Sequence, residues 1–186
     1  MAGHHLLLGK LTDLLTGEIL DDTLDERYRQ AIARHLVERK GHRAADIEPR
    51  RKLLLRAGPR QAVIRVDFIV RAAGRAAMVV RFGPGSIVSR ERPALAVARL
   101  VAPHQVPVVV VTNGEDAEVL DGVSGAVVGR GLDAIPDRRQ LVARAQGFDF
   151  PDIPAARAEM ESRVVYCYDV DGACPCDDTI CRLEND

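Results

Sequence analysis

The run Val106-Pro107-Val108-Val109-Val110-Val111 constrains the fold more than any other stretch of the chain. It contains no polar residue, is far too short to cross a membrane, and stops at Thr112-Asn113-Gly114. A short valine run bounded by turn residues fits a strand covered on both faces. A strand covered twice needs a layer on each side of its sheet, which points to an α/β architecture.

The flanking segments supply those layers. Thr23-Leu24-Asp25-Glu26 fits a capping box, with Thr23 and Glu26 exchanging bonds with the first free N–H groups of a helix. Tyr28, Ile32 and Leu36 then form one stripe of a helix over about 26–40, and Gly41 is placed to end it. Residues 52–56 and 62–70 read as a hairpin around Ala57-Gly58-Pro59-Arg60. Ala73-Gly74 turns the chain into a third strand, MVVRF, which Gly83-Pro84-Gly85 breaks. Helical spacing returns over 92–102, ahead of the valine strand. A short strand at 126–128 and a helix near 136–145 follow. Three meandering strands and a helical crossover into a central strand make a mixed sheet flanked by helices.

The expected organisation is one domain over 1–146, a linker over 147–163 with Pro151 and Pro154, and a cysteine-rich tail over 164–186. Hydrophobic residues are 47% of the chain and charged residues 28%, so a packed core is expected and disorder is not. The leader has no basic segment ahead of its three leucines, so the expected location is the cytoplasm, with no membrane partner.

The net charge of −1 hides an asymmetry. Residues 27–105 carry 18 basic against 5 acidic side chains, while residues 106–186 carry 7 against 16. A basic face for a polyanion, DNA or RNA, is one reading, with Arg50, Arg51, Lys52, Arg65, Arg81, Arg90 and Arg92 as candidates. Mixing of both halves on one folded surface is the other.

The order of elements, with DERYRQAIARHLVERKGH, then RVDFIV, then VVVVTNG, resembles the N-terminal domain of type I restriction enzyme R subunits, over roughly residues 18–142. That domain belongs to the PD-(D/E)xK nuclease superfamily. The resemblance implies a restriction-endonuclease-like fold and a site built from an aspartate on one strand and Glu-x-Lys on the next. Residues at i and i+2 share a strand face, so such a pair points the same way. Two carboxylates would hold Mg²⁺, which would activate water for attack on phosphate.

Carried over, Asp67 matches the strand aspartate and Glu26 the helix carboxylate, but the Glu-x-Lys positions fall on Val79-Val80-Arg81. Valine binds no metal, and arginine does not release its proton to act as a base. The resemblance therefore implies the fold with a degenerate site, in which Arg81 pairs with Asp67 or with a phosphate. An active Mg²⁺-dependent nuclease would need a displaced glutamate, for which Glu91 is the candidate. A non-enzymatic adaptor that presents the fold to a protein partner is the third reading.

All four cysteines, Cys167, Cys174, Cys176 and Cys181, fall within fifteen residues near the end of the chain. Four thiolates so close can surround one tetrahedral Zn²⁺, with an iron–sulfur cluster as the alternative.

Overall fold

The computed structural model describes residues 7–173 and 180–183. A small antiparallel pair, β1 (Lys10–Thr12) and β2 (Ile19–Asp21), precedes α1 (Leu24–Arg34). Thr23 Oγ1 accepts from the Glu26 N–H at 3.1 Å, so half of the expected capping box forms. The other half does not, because the Glu26 carboxylate turns away to accept from Gln30 Nε2 at 2.8 Å. The helix continues through a wider π-type turn, His35–Arg39.

The main sheet follows: β3 (Ile47–Ala57), β4 (Arg60–Ala72), β5 (Arg75–Phe82), α2 (Glu91–Ala98), β6 (Val108–Thr112), β7 (Ala117–Asp121) and β8 (Val127–Arg130). Then come α3 (Arg138–Gln146), α4 (Ala155–Val165) and β9 (Ile180–Leu183). The sheet has seven strands in the order β3-β4-β5-β6-β7-β8, with β9 paired to β4. Among the described strands only β5 and β6 are parallel, and α2 makes the crossover between them. The fold is therefore a mixed sheet flanked by helices, as the valine run requires.

Two cores lie on the two faces. One gathers Ile69, Val79, Val109, Val111 and Leu120 with α2 and Val165, Tyr166 and Val170. The other gathers Phe68, Met78, Val80, Val108 and Val110 with Ile32 and Leu36 of the first helix and Leu141 and Ala145 of α3. Val108 to Val111 are at most 1% exposed, and each such side chain stabilises the fold by roughly 1.5–3 kcal/mol.

Three elements depart from expectation. The segment 147–163, expected as a linker, contains most of α4, whose Val165 and Glu161 are fully buried. Glu161 receives Arg92, Arg99 and Arg157 at 2.6–2.7 Å, and these arginines lower its pKa against the burial that raises it. The helix is thus docked by a buried carboxylate that a hydrophobic pattern does not reveal. Strand β7 was not anticipated, because its inward row includes a glutamate. Strand β9 was not anticipated either, and its own sequence, ICRL, is too short to carry periodicity.

Strand β4 changes its inward side at Asp67. Ala62, Ile64 and Val66 face one core, Phe68 and Val70 face the other, and Ile69 faces the first again. Across the hairpin from Asp67 lies Arg50, whose φ of 50° places it in the left-handed region. A one-residue slip of alternation exchanges the two faces of a strand. Here it occurs where β4 and β5 stop pairing, after Phe68–Val80.

Candidate functional site

The slip leaves Asp67 in the notch between β4 and β5, 6% exposed. Its carboxylate accepts from the Phe82 backbone N–H at 3.1 Å, in place of a ladder bond. Arg29 of α1 donates through Nε at 2.8 Å, and its guanidinium lies over the Phe82 ring. Arg81 Nη1 stands 3.5 Å from the same carboxylate and donates to the Arg65 carbonyl at 2.8 Å. Burial works against the charge on Arg29, but Asp67 and Glu26 outweigh it and raise its pKa. It is a fixed cation.

A second layer surrounds this pair. Glu26, 8% exposed, lies 3.8 Å from both Arg29 and Arg50. Arg50 in turn donates to Asp13 at 2.6 Å. Asp13 also accepts from Gln30 Nε2 and from the N–H groups of Leu15 and Thr16. Burial tends to raise its pKa, but Arg50 and the other donors hold it at about 2. On the far side, Asp169, after α4, receives Arg81 Nη2 at 3.0 Å. Four carboxylates and three guanidiniums thus alternate through the notch.

The Asp67 carboxylate faces the guanidiniums of Arg29 and Arg81. Val79 is fully buried in hydrocarbon. Among the described residues no group of three or more His, Cys, Asp or Glu side chains is arranged to hold a metal. A carboxylate already held by two guanidiniums and a backbone N–H does not fit a divalent ion.

A family model described as the type I restriction enzyme R protein N terminus matches residues 24–136. The chain belongs to that family. No curated protein and no solved structure matches it. The matched residues of this restriction enzyme R N-terminal domain run from α1 to just before α3. Arg29, Glu26, Asp67 and Arg81 all fall inside them, whereas Asp13, Asp169, α4 and β9 lie outside.

Glu91 lies away from Asp67. It stands against Glu118 of β7, and β7 is three strands from β4, about 14 Å at the usual spacing. Burial and then the hydrogen bond shared with Glu118 raise the Glu91 pKa, while Arg130 donates to Glu118 at 3.1 Å. The Gly83-Pro84-Gly85 turn is closed in its own way. Gly83 N–H donates to the Thr112 carbonyl, and Arg90 donates to the Pro84 carbonyl at 3.0 Å. A Cβ on Gly83 would collide with Arg90, lying 2.3 Å from its Nη1.

The candidate cations separate into two groups. Arg50, Arg81 and Arg92 hold carboxylates, Arg51 holds Glu48 at 2.8 Å and the Val101 carbonyl at 2.9 Å, and Arg90 holds the turn. Lys52 and Arg65 are exposed, sit directly opposite each other on β3 and β4, and have no acidic partner among the described residues. Exposed Arg56, four residues from Lys52 on the same strand face, extends the pair. Cys167 and Cys181 are exposed, whereas Cys174 and Cys176 lie outside the described residues.

Arg29, Asp13 and Asp169 were missed by sequence reasoning. Arg29 carried a signal, since it lies three residues after Glu26 and so shares its helix face. Asp13 is 37 residues from Arg50 and Asp169 is 88 from Arg81, and nothing local marks those two pairings.

Proposed function

We propose that this restriction enzyme R N-terminal domain binds nucleic acid without cleaving it, through the exposed face of the β3–β4 hairpin. The saturation of Asp67 by Arg29, Arg81 and the Phe82 N–H carries the absence of cleavage. The un-neutralised Lys52–Arg65 pair supports the binding surface, because like charges directly opposite cost stability and gain it back only from an anion. Leu54, 45% exposed between Lys52 and Arg56, adds an apolar contact for a base or sugar. Membership of the family is consistent with a place in a larger DNA-acting assembly. Among the described residues no helix is long and apolar enough to cross a membrane.

Filter binding or anisotropy over a salt series tests this. Three phosphate contacts, from Lys52, Arg56 and Arg65, predict a log K against log[salt] slope of about −2 to −3. The same protein with Mg²⁺ or Mn²⁺ leaves plasmid and single-stranded DNA intact. Cleavage that Asp67→Ala abolishes would restore the nuclease reading, and no binding at low salt would leave the adaptor reading.

The cysteine spacing supports a closed Zn²⁺ site on Cys167, Cys174, Cys176 and Cys181, with an iron–sulfur cluster as the alternative. Metal content and the visible spectrum of anaerobically purified protein separate the two, and metal-free, colourless protein refutes both.

A further inference from the structure

A cavity of about 230 Å³ opens at the other end of β4, beneath the β4–β5 turn. Ala72 in its wall is five residues from Asp67, about 16 Å along the strand. Its walls are the 42–46 segment, the Ala73-Gly74 turn and the first turn of α3. Three arginines line it: Arg43, Arg71 and Arg138. The buried imidazole of His42 adds no charge at neutral pH, since burial lowers its pKa, and its Nε2 lies 3.0 Å from the Pro136 carbonyl.

The anionic complement is short. Arg43 is exposed and has no acidic partner among the described residues. Arg71 shares Glu48 with Arg51. Arg138 reaches Asp46 only at 4.0 Å, and its Nε is buried without a hydrogen-bond partner. A buried donor without an acceptor is costly, and a guanidinium more so. Arg138 and Arg139 also begin α3, at the positive end of the helix dipole, where cations are disfavoured. Each observation asks for an external anion, and the walls show its shape. Leu141, Val142 and Ala72 give the cavity an apolar side, while the arginine forks suit an oxyanion bidentately. The volume falls below that of drug-sized pockets, so the ligand is small.

We propose that this cavity is a phosphate-monoester site, with Arg43, Arg71 and Arg138 receiving the phosphate and Leu141 and Val142 the carbon next to it. The monoester is either a free metabolite or the terminal phosphate of a nucleic acid. The site stands apart from the hairpin surface, and its failure leaves the hairpin reading untouched.

Calorimetric titration of the full chain at constant ionic strength tests it. The probes are inorganic phosphate, a nucleoside 5′-monophosphate, and an oligonucleotide with and without a 5′-phosphate. Saturable binding of the monophosphate is expected, weakened about tenfold or more by Arg43→Ala and by Arg138→Gln. Asp46→Asn removes the competing carboxylate and should tighten binding, a gain that misfolding cannot imitate. Binding of the 5′-phosphorylated oligonucleotide that exceeds both the monophosphate and the dephosphorylated oligonucleotide, the excess depending on Arg43, assigns a nucleic-acid end. Equal or weaker binding assigns a free monoester. No saturable binding of inorganic phosphate or the monophosphate at millimolar concentrations, with oligonucleotide binding indifferent to the 5′-phosphate, or binding indifferent to all three substitutions, overturns the proposal.

Discussion

Replacing Asp67 by alanine should cost stability, and the sign of the change separates two roles for the carboxylate. In the native protein Asp67 neutralises Arg29, which is 18% exposed, and accepts the buried Phe82 N–H. Alanine strands both. Removing one partner of a buried pair costs about 3–5 kcal/mol, and an orphaned backbone donor about 1–3 kcal/mol. Arg29 keeps Glu26 at 3.8 Å and the face of Phe82, so the sum belongs near the lower end, about 4 kcal/mol. With a urea dependence of about 2–3 kcal/mol/M, the midpoint falls by about 1.3–2 M with an unchanged slope. Asp67→Asn still accepts the Phe82 N–H and should cost less. A carboxylate kept for a metal behaves in the opposite way. In the absence of the ion it is repelled by its neighbours, so its removal leaves the midpoint unchanged or raises it. Such a site would also be stabilised by Mg²⁺ in proportion to occupancy. A midpoint that rises in Asp67→Ala, together with a Mg²⁺-dependent rise in the unaltered protein, would refute the ion-pair role.

Three other outcomes follow from the same charges. Glu161→Gln leaves Arg92, Arg99 and Arg157 facing a neutral group, so α4 should loosen, with a stability loss of about 2–4 kcal/mol and faster proteolysis over 147–165. Asp13 has a folded pKa below its unfolded one, so its stabilisation is complete above about pH 4 and disappears as pH falls through about 2. That contribution is about 2 kcal/mol, and Asp13→Asn should flatten the acid limb of an unfolding curve. Glu91 is shifted upward, so its ionised form weighs against the fold as pH rises above 4.5. Glu91→Gln should therefore raise the midpoint at pH 7 and change little well below pH 4.5.

The parts of the fold legible in the sequence are those written in hydrocarbon. Val106 to Val111 and MVVRF are apolar runs, and Tyr28, Ile32 and Leu36 a helical stripe, each of which burial explains. The unread parts are held by charge or by pairing across long sequence separations. The polar sequence of α4, AARAEMESRVV, looks like a linker because its buried anchor is Glu161. Strand β7 presents Glu118 where an apolar residue would complete its pattern, and β9 pairs with β4 over 61–64, where β5 no longer does. The site divides in the same way. Asp67 and Arg81 could be found by strand spacing, and their pairing anticipated from opposite charge. Arg29 required knowing that α1 crosses the notch, and Asp169 required knowing that the chain returns over it after α4.

On the proposed reading, a guanidinium beside Asp67 differs from a metal in more than chemistry. A metal ion exchanges its ligands, so substrate oxygens enter its shell without any side chain moving. Arg81 offers a fixed set of donors, and these already reach the Arg65 carbonyl, Asp67 and Asp169. A phosphate can reach Arg81 only by displacing Asp169, at a cost comparable to the contact it gains. On the proposed reading, nucleic acid therefore meets the hairpin face first, at Lys52, Arg56 and Arg65, which have no carboxylate to displace among the described residues. The two groups of cations should differ by experiment. Lys52→Ala and Arg65→Ala each reduce the salt slope by about 1 and weaken binding across all sequences, whereas Arg81→Ala leaves the slope unchanged and lowers stability. Asp169→Asn reverses that last result, because Arg81 is then free to add a contact and the slope steepens. Equal slopes for all four variants would mean that the surface lies elsewhere on the sheet.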